Sequence, residues 1–281
     1  MSRLHVRKTY KLYINGEFPR SESGRTYPAL EADGAVVARV ARASRKDLRD
    51  AVRAARNAAA PWGARTGYNR GQIIYRTAEL MEDRTETFKE QLEIGGISAA
   101  RARTEVGRSI DRLVWYAGWC DKFPQIFGNL NPVAGPFFNI SNPEPTGVVG
   151  VLAPEKPALL GLVSRLGPVL AAGNSTVVVA SPTQPLPAVT LAEVLETSDF
   201  PSGVINILTG SHEELAPWLA DHMDVNAVDA SGASHEVRVR VEEGAVHNVK
   251  RVVLSDDPDS QSPYLIAAFT ETKTVWHPKG L

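Results

Sequence analysis

Between residues 147 and 254 the sequence reads GVVGVLA (147–153), PALLGLVSRLGPVLAA (157–172), STVVVA (175–180), PAVTLAEVLETS (187–198), VINIL (204–208), SHEELAPWLA (211–220), DVNAVD (224–229), SHEVRVRVEE (234–243) and VKRVVL (249–254). Five short apolar β-units alternate with four helical ones. Strands that are apolar along their whole length are buried on both faces, and helices between them are the crossovers of a parallel sheet. With right-handed connections the arrangement is an α/β, doubly wound, Rossmann-like sheet. Ser211 and Glu214 predict a capping box for the third of these helices.

Working outward, residues 9–18 (TYKLYINGEF) hold Asn15-Gly16 between apolar alternations, a strong hairpin signal. Ser44 with Asp47 predicts the start of a helix over 44–60, in which Leu48, Ala51, Val52 and Ala55 share a face. A second helix is expected over 68–92 and a third over 99–123. Residues 124–146 are rich in Pro, Gly and Asn around the extended run PFFNIS (136–141), and read as an excursion from the main body. After the sheet come a polar loop, SDDPDSQSP (255–263), and a final alternating stretch, FTETKTVW (269–276).

Composition bounds the function. Hydrophobic residues are 43% and charged residues 22% of 281, ordinary for a globular protein. Lys+Arg number 31 against 32 Asp+Glu, so neither a nucleic-acid footprint nor an acidic arm is indicated. Cys120 is the single cysteine. A reducing, cytoplasmic setting is expected, with no signal-peptide pattern in MSRLHVRKTYKLY and no stretch able to span a bilayer. The six histidines (His5, His212, His222, His235, His247, His277) show no metal-ligand spacing. Asp256, Asp257 and Asp259 read as a solvated linker rather than a cation site. No G-x-G-x-x-G follows a strand, so periodicity gives a sheet without naming a ligand.

Several runs together resemble the aldehyde dehydrogenase superfamily: LVWYAGWCDKF (113–123), EPTGVVGVLAP (144–154), LGPVLAAGNSTVVV (166–179), FPSGVINILTG (200–210), VKRVVL (249–254) and FTETKTVWHP (269–278). They occur in the family's order, and the likeness covers about residues 8–281. The short second module of family 16 aldehyde dehydrogenases is the nearest in kind, since it too lacks most of a catalytic domain. The resemblance implies thiolate attack on an aldehyde, hydride transfer to NAD(P) and glutamate-assisted deacylation. Carried over by position, it also implies losses. The oxyanion Asn element falls at Pro154-Glu155-Lys156-Pro157, which contains no Asn. The ribose-binding Lys and Glu fall within Val179-Ala180-Ser181-Pro182, which has neither. Ser234 alone survives of the pyrophosphate turn, whose glycines become Ala233 and Arg238. The general-base Glu falls at Ser255. The nucleophile belongs to a domain whose place is taken by residues 256–261.

Loss of one oxyanion donor slows such chemistry roughly 10²–10³-fold and loss of a general base roughly 10²–10⁴-fold. Loss of the nucleophile removes the covalent route. Pro154, Lys156, Ser181 and Ser234 are therefore expected as vestigial cofactor positions, with no catalytic residue and no bound NAD. The domain reading is a nucleotide-domain-like body over 1–128 and 147–255, a linker over 256–261, and an oligomerisation arm over 129–146 and 262–281. The arm's expected interface residues are Phe137, Phe138, Ile140, Phe269, Lys273, Val275 and Trp276. The resulting expectation is a pseudoenzyme that associates through this arm with a full-length aldehyde dehydrogenase or with itself. The alternatives are an NAD(P)-dependent subunit contributing to a shared active site, and a self-associated nucleotide- or metabolite-binding module. No nucleic-acid or membrane partner is expected.

Overall fold

The computed structural model describes residues 7–255, 257 and 260–280. His5, Asp256 and Asp259 lie outside the described residues. The chain opens with β1 (Thr9–Tyr10), β2 (Thr26–Leu30) and β3 (Val36–Ala41), a small sheet in the order β1-β3-β2. Asn15 and Gly16 take positive φ values of 55° and 76°, and Ile14 and Glu17 exchange backbone hydrogen bonds of 3.0 Å across that tight turn. Four helices follow: α1 (Arg45–Gly63), α2 (Gly67–Asp83), α3 (Thr85–Ile94) and α4 (Ala99–Trp119). The Ser44–Asp47 capping box at the start of α1 is complete in both directions. The single helix expected over 68–92 is two. The chain breaks at Arg84, which leaves the helical region, although no Gly or Pro marks the spot. The third expected helix ends at Trp119, and a separate short α5 (Phe123–Phe127) follows.

Next come β4 (Asn129–Asn131) and β5 (Phe137–Pro145), the excursion from the body. The alternating units are β6 (Val148–Leu152), α6 (Ala158–Ala171), β7 (Ser175–Val179), α7 (Leu186–Leu195), β8 (Ile205–Leu208), α8 (His212–Asp221), β9 (Ala227–Asp229), α9 (His235–Val246) and β10 (Arg251–Val253). They form a five-stranded, all-parallel sheet in the order β10-β9-β6-β7-β8. The doubly wound arrangement expected from the sequence is thus observed. Val149, Val151 and Val178 face a core shared with α2, α4, α6 and α7. Val148, Leu152, Val177 and Val179 face the opposite core, beneath α1, α8 and α9. Every residue of β6, β7, β8 and α6 is buried, which is why these segments are apolar throughout.

At the N-cap of α8, Ser211 Oγ accepts from Glu214 N, but the reciprocal half of the expected box is missing. The Glu214 carboxylate instead accepts from Arg25 Nη2 at 2.8 Å and Arg42 Nε at 3.0 Å. The chain closes with α10 (Pro263–Ala267) and β11 (Thr270–Pro278). Strand β11 pairs antiparallel with β5 along its whole length, from Thr270↔Pro145 to Pro278↔Phe137. A third sheet results, in the order β11-β5-β4. Among the described residues, no helix is long and apolar enough to cross a membrane.

Candidate functional site

The sheet's strand order reverses around β6, with β7 and β8 to one side and β9 and β10 to the other. Open α/β sheets bind ligands at such a switch point, beyond the carboxyl ends of the strands. A cleft of about 450 Å³ lies there, lined by Pro154, Glu155, Lys156, Pro182, His212, Glu213, Ser231 to Ser234 and Ser255. The loops after all five strands therefore contribute. Three of the four vestigial positions, Pro154, Lys156 and Ser234, line this cleft.

Each of these residues has local work. Ser181 is buried, and its Oγ accepts from Gln184 N at 3.0 Å. Ser234 caps α9 by accepting from Val237 N. Arg238, which stands where the family has glycine, donates to the carbonyls of Ser231 at 2.7 Å and Ala233 at 3.1 Å. His212 is buried beside the carbonyl of Val179 at 3.3 Å, and burial pulls its pKa below the usual imidazole value. It is therefore neutral at pH 7. Glu155 and Lys156 are exposed at the rim.

Gly232 in the cleft wall, and Asp229, Arg165 and Glu105 in the body, are residues to which sequence reading assigned no role. Gly232 sits so near the loop after β6 that an added Cβ would lie 2.3 Å from the Leu152 carbonyl oxygen and 2.4 Å from Pro154 N. Only glycine allows this approach of two backbones. Asp229, at the end of β9, is fully buried with Arg165 of α6, Oδ2 to Nη1 3.9 Å. Burial raises the Asp229 pKa, while the guanidinium opposes that rise. Glu105 of α4 accepts from the first amides of α6, Leu159 N at 2.8 Å and Leu160 N at 3.2 Å. Its side chain thus fills the positive end of that helix. No local sequence signal marks Glu105, whose partners lie on another element. Arg165 was visible only as a break in an apolar run. Cys120 is buried in the body, away from this cleft, and burial pushes its thiol up to about 12. No metal-binding group of His, Cys, Asp or Glu occurs among the described residues.

The second feature is the arm. Leu130, Ile140 and Val275 stand side by side across β4, β5 and β11, and all three are exposed. Phe138 lies two residues before Ile140 on the same face, and Lys279 Nζ sits 4.8 Å from its ring centre. Lys273 pairs with Glu144 at 3.2 Å on that face. On the other face, Phe137 and Trp276 meet edge-to-face at 5.8 Å, and Trp276 remains 58% exposed. Beside them Asn131 Nδ2 donates to Asn139 Oδ1 and Ser141 Oγ at 2.7 Å each, and Ser141 Oγ is hydrogen-bonded to Thr274 Oγ1 at 2.8 Å, a polar ladder that ties the three strands together.

Phe269 does not belong with these residues. It is 0% exposed and packs into the body, and β11 starts one residue later. Its carbonyl accepts from Thr146 N at 3.2 Å and Asn174 Nδ2 at 2.9 Å. Arg251 of β10 holds the same root by donating to the carbonyls of Ala268 and Thr270 at 2.8 Å each. The expected interface residue is therefore the arm's anchor, because the chain must turn through the body before it extends.

Known proteins give the same fold a family context. Residues 20–272 match the model of the aldehyde dehydrogenase family. Human cytosolic 10-formyltetrahydrofolate dehydrogenase is 34% identical over 94% of this chain, which spans 30% of that protein. Aldehyde dehydrogenase, cytosolic 1, of Elephantulus edwardii is 34% identical over 87% of the chain, which spans 49% of that protein. Among solved structures, the NAD+ complex of an aldehyde dehydrogenase from Bacillus cereus superposes with a TM-score of 0.82 at 28% identity, covering 88% of this chain and 50% of its own. The chain thus spans from under a third to about half the length of these relatives. With its parallel sheet, its switch-point cleft and this breadth of similarity, the chain belongs to the aldehyde dehydrogenase family.

Proposed function

We propose that this chain is a non-catalytic aldehyde dehydrogenase-like subunit that associates through its β arm with a full-length aldehyde dehydrogenase in the cytosol. The observation that carries the reading is the arm itself. Three strands present Leu130, Phe138, Ile140 and Val275 on one face, and β11 runs nine residues along an edge of that sheet. Exposed apolar strands at an edge are an aggregation hazard unless something pairs with them. Strand addition supplies affinity through backbone hydrogen bonds.

The cleft supports the non-catalytic half of the reading. A pyrophosphate needs open helix amides and cations. Here the α6 amides already donate to Glu105, Arg238 is engaged by loop carbonyls, and the rim sets Glu155 and Glu213 against Lys156. This donor set does not fit a dinucleotide. Beyond β10, the chain reaches α10 by a short connector. Arg112 donates to Ser260 O at 2.8 Å and Gln261 Oε1 at 3.0 Å, and Arg165 donates to Asp257 O at 3.4 Å. The connector is fastened to α4 and α6, where the family resemblance places the start of a catalytic domain.

Native mass spectrometry on the tagged protein from its own cells tests the proposal. The expected result is a stoichiometric complex with a full-length aldehyde dehydrogenase, together with unchanged tryptophan fluorescence on titration with NAD or NADP. A lone chain that shows saturable, micromolar quenching by either dinucleotide overturns it in favour of a cofactor-binding enzyme subunit.

A further inference from the structure

A cavity of about 570 Å³ lies at the root of the arm, between the end of α1, the start of α2 and the inner ends of β5 and β11. Arg56, Arg65 and Arg70 line it against one carboxylate, Glu144. That carboxylate is already paired with Lys273 at 3.2 Å. The rest of the wall is mostly glycine, alanine, proline and Phe123, with the buried residue Cys120.

Arg70 is only 8% exposed. Its Nη1 donates to the carbonyls of Arg65 at 2.6 Å and Gly63 at 3.3 Å, at the end of α1. Its Nε is sealed from solvent with no acceptor, and its Nη2 donates to none of the described residues. Among the described residues no carboxylate pairs with it. A guanidinium buried with its Nε sealed and unanswered is a costly arrangement. Arg56 is better answered: its Nη2 donates to Asn226 Oδ1 at 2.7 Å and to the carbonyl of Asp224, and its Nε, buried without a hydrogen-bond acceptor, lies 3.8 Å from the Asp224 carboxylate. Arg65 stands at the exposed rim, with Nη1 on Asn69 Oδ1 at 2.7 Å. Helix α2 begins at the same cavity. Its Thr66 cap accepts from Asn69 N alone, which leaves the partial positive charge of the first turn facing Gly67.

We propose that this cavity binds a compact dianion, either a phosphate group or a short dicarboxylate, with Arg70 as the deep ligand and Arg56 and Arg65 at the mouth. Such an anion supplies an acceptor for the Arg70 Nη2, which donates to none of the described residues, and a counter-charge for the buried guanidinium. The planar guanidinium fork takes two oxygens of a phosphate or carboxylate at once. The site is separate from the switch-point cleft and shares no residue with it.

Isothermal titration calorimetry of the intact chain, at low ionic strength, tests this with inorganic phosphate and with succinate as separate probes. Saturable one-to-one heat with either is expected. Phosphate alone identifies a phosphate-bearing ligand, and succinate alone a dicarboxylate. Arg70→Met should weaken binding about tenfold or more. Because Arg70 also ties down the end of α1, a second variant avoids that role: Arg56→Met combined with Arg65→Met should weaken binding about tenfold with an unchanged circular dichroism spectrum. Arg49→Met, on a residue that lies outside the cavity and pairs with Asp50, should leave it unchanged. No saturable heat with either probe, or wild-type affinity in the double variant, overturns the site.

Discussion

The parallel sheet and the arm are both stacks of β-strands, and they answer opposite demands. In β6 and β7 all ten residues are buried between helices. In β11 eight of nine residues are exposed, and Val275 alone shows half its surface. The sheet largely satisfies itself, since its inner strands β9, β6 and β7 are paired on both sides and find their apolar cover inside the chain. The arm's outer strands β4 and β11 are paired on one side only, and its apolar residues are left exposed. The same secondary structure is a scaffold in one place and an offer in the other. The boundary between them is a single residue wide, at Phe269.

That contrast can be broken most sharply at its buried end. Asp229→Ala leaves Arg165 buried without a counter-charge and should cost about 3–5 kcal/mol, read as a lowered urea midpoint. Phe269→Ala should cost about 3–5 kcal/mol as well, because a fully buried ring is lost at the anchor. A loss near 0.5 kcal/mol would place Phe269 with the arm instead.

Alkaline pH tests the body alone. Burial pushes the Cys120 thiol and the Tyr116 hydroxyl up to about 12, and raises Tyr13 and Tyr27 as well. These groups stay protonated in the fold at pH values where the unfolded chain has ionised. The stability they contribute is full below the unfolded pKa, near 8.5 for the thiol and near 10 for the phenols, and is lost as pH rises toward the folded values. Burial lowers Lys250 to about 8, which adds an opposite slope up to its unfolded value of about 10.4, so melting temperature should fall chiefly above about pH 10. Cys120→Ala should flatten that slope by up to about 1.4 kcal/mol per pH unit.

The smallest effect on stability and the largest on assembly belong to the arm. Val275→Asp or Ile140→Asp should change the unfolding free energy by no more than about 1 kcal/mol, since both residues are already about half exposed. Analytical ultracentrifugation should show either variant losing its partner. An undisturbed complex would move the interface elsewhere.

The sheet was legible because burial on both faces leaves a direct mark on composition, as in STVVV and VVGVL. The capping box at Ser44 and the turn at Asn15-Gly16 were legible because their chemistry is local. What escaped was set by partners distant in the chain. The break at Arg84 has no glycine or proline, so the apolar periodicity runs straight through it. Glu105 acts on amides of another helix, and Gly232 matters because of a backbone from another strand. Arg165 interrupts the apolar run of α6, and its reason is Asp229, with four strands and helices between them in the chain. The arm's alternation correctly predicted extended structure. It did not reveal that Phe269, apparently in phase with Val275, points into the body.

Cys120 carries a last consequence. It is the only thiol, and it is sealed between α2 and the start of α5, with its Sγ 3.4 Å from the carbonyl of Tyr116. An alkylating reagent can reach it only when that helical layer opens. The rate of its labelling is thus a built-in stopwatch for local opening of the body. The emission of Trp276, on the arm, reports independently on whatever docks there.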